Sequence, residues 1–93
     1  MPEVIKRLVI RGRVQGVFYR AWSAEEAGRL GLRGWVRNRL DGSVEMLLSG
    51  SEGEVAAMIE RCRQGPPAAL VEAIQIEEAE ETPPPRFEKR PTA

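Results

Sequence analysis

The dipeptide Asp41-Gly42 constrains this chain more than any other two residues. Asp-Gly between two strand-like runs is a strong hairpin signal, because the tight turns that match strand twist need positive φ in their centre. The run before it, "LRGWVRNR" (32–39), and the run after it, "SVEMLLSG" (43–50), therefore form an antiparallel pair. Everything else in the 93 residues has to fold around that pair.

Residues 4–11, "VIKRLVIR", are rich in β-branched side chains and predict a first strand. Gly12 and Gly16 punctuate the loop that follows. A helix is expected over 19–30, with Ala24, Ala27 and Leu30 on one face, Trp22 nearby, and Glu25, Glu26 and Arg29 towards water. Gly31 ends it. After the hairpin, Ser51 and Glu54 carry the spacing of a capping box. Val55, Met58, Ile59 and Cys62 follow at helical spacing, and Gly65-Pro66-Pro67 stops that helix. Residues 70–76, "LVEAIQI", predict a fourth strand. Residues 77–86 are acidic and then proline-rich, a surface loop, and 87–93 form a short edge strand on Phe87 or a frayed tail. The order is strand, helix, strand, strand, helix, strand: an α+β, ferredoxin-like βαββαβ sandwich. Two right-handed crossovers would lay both helices on one face of an antiparallel sheet. A length of 93 residues predicts one domain, 1–93.

Composition narrows the chemistry. Net charge is zero, which removes any general pull towards nucleic acid or anionic membrane. Histidine is absent, and with it the usual near-neutral acid–base group. One cysteine and no histidine make a zinc site unexpected, and the expected metal and cofactor complement is none. Cys62 lies in an apolar-periodic segment and is expected as a core thiol. Residues 1–6 lead directly into strand pattern, so no signal peptide is expected, and no apolar run reaches membrane-spanning length. Cytoplasmic residence and a monomer are the corresponding expectations.

Two positions stand out. Arg20 sits at the start of the first helix, where the helix dipole disfavours a cation. A strand-to-helix loop with two glycines can aim several backbone N–H groups at one point, and the helix end adds partial positive charge. An arginine there is unfavourable when the site is empty and favourable around a phosphate-like anion. The alternative is that the glycines only shape a turn and Arg20 faces solvent. Asn38, the chain's single asparagine, lies in a strand, facing the same way as Val36. It either serves a site or satisfies the nearby turn.

Two stretches resemble the signatures of the acylphosphatase family. "IRGRVQGVFYR" (10–20) is similar to the first and "GWVRNRLDGSVEMLLSG" (34–50) to the second, both without a gap. The resemblance runs in outline over 4–76, and "FEKRPTA" matches the usual last strand only loosely. It implies metal-free hydrolysis of acyl phosphates, small-molecule substrates, to carboxylate and inorganic phosphate. It implies that Arg20 binds the phosphate together with the backbone amides of Arg13, Val14, Gln15, Gly16, Val17, Phe18 and Tyr19, and that Asn38 positions the attacking water. The residues agree on one independent point: there is no poised nucleophile for a phosphoenzyme. A carboxylate leaving group, with a free-acid pKa of roughly 4, needs no general acid.

Two other readings fit the sequence less well. An RNA-binding module shares the element order but displays aromatics on its central strands, and "LVIRGRV" and "SVEMLLS" have none. A non-catalytic anion-binding domain, like the acylphosphatase-like domains inside larger maturation enzymes, would bind phosphate without turnover. Arg29, Arg33, Arg37, Arg39, Arg61 and Arg63 are expected as solvated charges, and Trp22 and Trp35 as packing residues.

Overall fold

The computed structural model describes residues 3–93, so the first two residues of the expected 1–93 domain lie outside the described residues. The elements are β1 (Glu3–Arg13), α1 (Tyr19–Arg29), β2 (Arg33–Asn38), β3 (Val44–Ser51), α2 (Glu52–Gln64), β4 (Leu70–Glu78) and β5 (Phe87–Lys89). They form one five-stranded sheet in the order β4-β1-β3-β2-β5.

The Asp-Gly turn does what its chemistry predicts. Gly42 takes φ 92°, and Asp41 accepts from the Ser43 N–H at 2.9 Å and from its hydroxyl at 2.6 Å. Those bonds hold the Asp41 carboxyl down at about 2. The turn sets the register in which Asn38 lies opposite Val44 and Gly34 opposite Leu48. β3 then pairs with β1, Ile10 opposite Val44 and Val4 opposite Gly50. On α2, the Ser51 hydroxyl accepts from the Glu54 N–H at 3.2 Å and donates to the Glu54 carboxylate at 2.9 Å.

Alternation along the central strands sends Leu8, Ile10, Val36, Val44, Met46 and Leu48 into one core with Tyr19, Ala27, Val55, Met58 and Cys62 of the two helices. Both helices therefore cover the same face. The stripe that α1 buries is Tyr19, Ser23 and Ala27, not the expected Ala24, Ala27 and Leu30. Tyr19 decides the phase: its ring enters the core and its hydroxyl donates to the Cys62 carbonyl at 2.7 Å. Ala24 and Leu30 are half-buried beside the stripe.

The sheet is mixed rather than antiparallel throughout. β4 ends at one edge, residues 79–86 cross to the other, and β5 runs parallel to β2, with Val36 opposite Lys89. The open edge of β2 offers unpaired backbone groups there, and Phe87 packs against the core as the anchor. Residues 87–89 are thus a strand, as one of the two expected outcomes, and β4 is longer than expected by two residues, Glu77 and Glu78.

The face away from the helices is not bare. Leu47 and Trp35 are buried on it. Arg37, expected in solvent, stacks over Trp35 at 4.8 Å and pairs with Glu45 at 2.7 Å. Glu45 is only 6% exposed and has a second partner in Arg7 at 3.6 Å. A buried carboxylate needs such partners to stay charged, which draws Arg37 out of water. No helix among the described residues is long and apolar enough to cross a membrane.

Candidate active site

The site grows out of the end of β1. A bulge between Arg11 and Gly12 shifts the pairing with β4, and Gly12 sits at φ 128°, with no room for a Cβ against the Leu70 carbonyl. The chain then turns through Gly16 at φ 74° into Phe18, which caps α1 in the left-handed conformation at φ 63°. Positive φ is unusual for a bulky residue and marks a backbone held for a purpose.

The consequence is a set of free donors. Phe18 offers no side-chain acceptor to the helix end. The first amide of α1 to find a carbonyl is that of Trp22, which donates to Phe18 at 3.0 Å. Among the described residues, the amides from Gly16 to Ala21 take part in no turn or cap bond. Helix α1 has no acidic residue in its first turn, so nothing internal neutralises these donors.

Arg20 lines the same cleft as Gly16, Phe18, Tyr19 and Ala21. Its guanidinium makes a long hydrogen bond, 3.4 Å, to the Arg90 carbonyl, and among the described residues it enters no ion pair. Asn38 ends β2, and its carbonyl accepts from the Ala93 N–H at 3.1 Å. Both residues open on one cleft of about 610 Å³. One wall is Phe18, Tyr19, Arg20 and Ala21; the other is Lys89, Arg90 and Pro91; Val14, Gly16 and Asn38 complete it. Among the described residues no carboxylate lines this cleft, so its field favours an anion.

Of the residues singled out from the sequence, Val14, Gly16, Phe18, Tyr19, Arg20 and Asn38 line the cleft, and Arg13, Gln15 and Val17 do not. Arg13 closes β1 with an exposed side chain, and Val17 packs against the core. Gln15 donates through Nε2 to the Arg39 carbonyl at 2.7 Å and the Ser43 carbonyl at 2.8 Å, tying the loop to the hairpin. Tyr19 reaches the cleft but turns its hydroxyl inward, where burial pushes its pKa up; burial likewise pushes the Cys62 thiol up to about 12. Sequence reasoning missed Ala21, Lys89, Arg90 and Pro91. The signal for Lys89 and Arg90 was that basic pair after the Phe87 anchor, hidden in what reads as a tail.

The acylphosphatase family model matches residues 6–89. The chain belongs to the acylphosphatase family. Within it, the chain is 59% identical over 80 residues to an acylphosphatase of Rhodopseudomonas palustris, covering 86% of this chain and 81% of that one. An acylphosphatase of Rhizorhabdus wittichii is 46% identical over 90 residues, 97% of this chain and 91% of its own. Among solved structures, the acylphosphatase from Coxiella burnetii superposes with a TM-score of 0.90 at 33% identity, over 95% of this chain and 93% of that chain. The matched region contains the first cleft wall, Asn38 and Lys89, and ends just before Arg90 and Pro91 of the second wall.

Proposed function

We propose that this acylphosphatase-family enzyme hydrolyses the carboxyl–phosphate bond of acyl phosphates without a metal, using Arg20 and the α1 amide cradle to hold the phosphoryl group and Asn38 to orient the attacking water. The observation that carries the reading is the meeting of unpartnered amides, an unpaired guanidinium and an asparagine in one cleft without carboxylates. Amides and guanidinium aim at the oxygens on which charge develops, and they cost no reorganisation during the reaction. The planar fork of Arg20 suits two phosphoryl oxygens at once. The carboxylate product leaves without a proton, so the absence of an acid in the cleft is no handicap. The phosphoryl oxygens themselves take the proton of the attacking water. Phosphate monoesters, which leave as poor alkoxides, should be slow substrates.

The test is hydrolysis of benzoyl phosphate by the purified protein in excess chelator. Wild type should turn over at its full rate. Arg20→Gln should lose at least a hundredfold in kcat/KM and also bind inorganic phosphate more weakly, because ground and transition states share that contact. Asn38→Ala should lose rate on a similar scale while phosphate inhibition survives. Activity lost to the chelator would sink the metal-free reading. Phosphate binding unchanged in Arg20→Gln would sink the cradle.

A further inference from the structure

We infer that Trp35, Glu81 and Arg90 form a latch, on the face of the sheet opposite the cleft, that positions Arg20 for phosphate. The inference rests on Arg20 being the phosphate-binding residue. Residue 90 is where the two faces meet. Its carbonyl accepts from Arg20 on the cleft side, and its N–H donates to the Val36 carbonyl at 2.8 Å, extending the β5–β2 pairing. Its side chain passes to the far face and lies over the Trp35 ring at 5.0 Å.

The far side of the latch is built from three elements. The Trp35 indole N–H donates to Glu81 at 2.8 Å, and Glu81 faces the Arg90 guanidinium at 3.8 Å. Glu88 adds a second carboxylate at 3.9 Å. Arg37 also stacks on Trp35 and is held by Glu45. Trp35 itself is 2% exposed. The ring therefore has a fixed place, and it fixes Arg90 by cation–π contact and through a shared carboxylate.

This arrangement has a purpose in the cleft. A 3.4 Å bond from a long, flexible side chain holds little unless its acceptor is itself held. Arg20 has no carboxylate to orient it, and a carboxylate there would compete with the phosphate. A neutral carbonyl orients the guanidinium without cancelling its charge. The latch keeps that carbonyl in place from outside the cleft, and Glu81 gives the acidic crossing segment of residues 79–86 a task that no other feature of the site explains. Trp35, Glu81 and Arg90 act through Arg20 and are positioning residues.

The experiment uses Glu81→Gln and Trp35→Phe, neither of which lines the cleft, with Arg20→Gln as reference. Each variant is first shown to be folded by circular dichroism. Glu81 lies on the surface, so Glu81→Gln keeps the test open if Trp35→Phe fails to fold. Two quantities are read: inhibition of benzoyl phosphate hydrolysis by inorganic phosphate, and the order of the Arg20 Nε–Hε group by NMR relaxation. The latch predicts a five- to tenfold loss in kcat/KM, a similar weakening of phosphate inhibition, and a more mobile Arg20 in the folded variants. An Arg20 signal as ordered as in wild type overturns the latch, whether or not activity falls. Phosphate inhibition within twofold of wild type overturns it as well. Failure of the hydrolysis reading would look different: wild type would be inactive, or Arg20→Gln would bind phosphate normally, while the Arg20 signal would still report on the latch.

Discussion

Gln15 directs both protons of its amide to the hairpin, to the carbonyls on either side of the Asp-Gly turn. It sits within the first acylphosphatase signature, residues 10–20, yet does not line the cleft. Its work is to hold the loop against the strand end that carries Asn38. Gln15→Ala leaves two part-buried carbonyls without that donor and should cost about 1–3 kcal/mol in urea unfolding. Turnover should fall with it, because loop and asparagine lose their common reference. Cys62 is the opposite case, a residue with reactive chemistry and no access. It is fully buried, with its thiol raised to about 12, so it should resist a disulfide reagent at pH 8 in native protein and react at once in denaturant. Rapid native reaction would mean that α2 opens far more readily than its packing suggests.

At the scale of elements, the bulge at Gly12 sets the exit angle of β1 and hence the aim of the loop. A Cβ on Gly12 would meet the Leu70 carbonyl at 2.1 Å, and the backbone is at φ 128°. Gly12→Ala should therefore destabilise by about 2 kcal/mol or more and slow turnover with it, read from thermal unfolding and benzoyl phosphate assays on the same sample. Most of this architecture was legible in the sequence because its signals are local. Asp41-Gly42 names its own turn, Ser51 and Glu54 their own cap, and alternation separates Val36 and Asn38 from Arg37. Arg20 and Asn38 were legible because each contradicts local preference: a cation at a helix start, an asparagine in a strand. β5 was legible only as an alternative, since its three residues carry one apolar anchor and its partner, β2, is remote in the chain. The second wall of the cleft inherits that opacity: Lys89, Arg90 and Pro91 are placed by pairing, not by any periodicity of their own. The phase of α1 was misread because one buried tyrosine outweighed the alanine pattern. Arg37 was misread because its partner, Glu45, is a buried acid on a strand and gives no signal in the sequence.

Across the whole molecule, the protonation of two buried groups links stability to alkaline pH. An unfolded thiol ionises near pH 8.5 and an unfolded phenol near 10. In the native state both Cys62 and Tyr19 are raised by burial, Cys62 to about 12. Above about pH 8.5 the unfolded chain therefore binds fewer protons than the native one, and stability falls as pH rises. The contribution is fully present below that pH and is lost on the way to 12, with a slope approaching 1.4 kcal/mol per pH unit for each group. Urea midpoints at pH 8, 9.5 and 11 should fall in that order, and Cys62→Ala should flatten the first part of the decline. A flat profile would mean that these groups are hydrated in the native state.

The crossing segment 79–86 has a further consequence. Beyond Ala79, whose N–H donates to Ile5 at 3.0 Å, it makes no backbone bond to the sheet among the described residues until β5 begins. Held to the sheet at Glu81, it is a tether that delivers one short strand to the far edge at an effective concentration on the order of millimolar. Cut at Pro83-Pro84, the enzyme would become a two-part system: residues 84–93 would be a peptide that binds β2 through Phe87–Lys89, by strand addition. Turnover would then titrate with that peptide and saturate only in the millimolar range, so catalytic competence in this fold would be a binding isotherm.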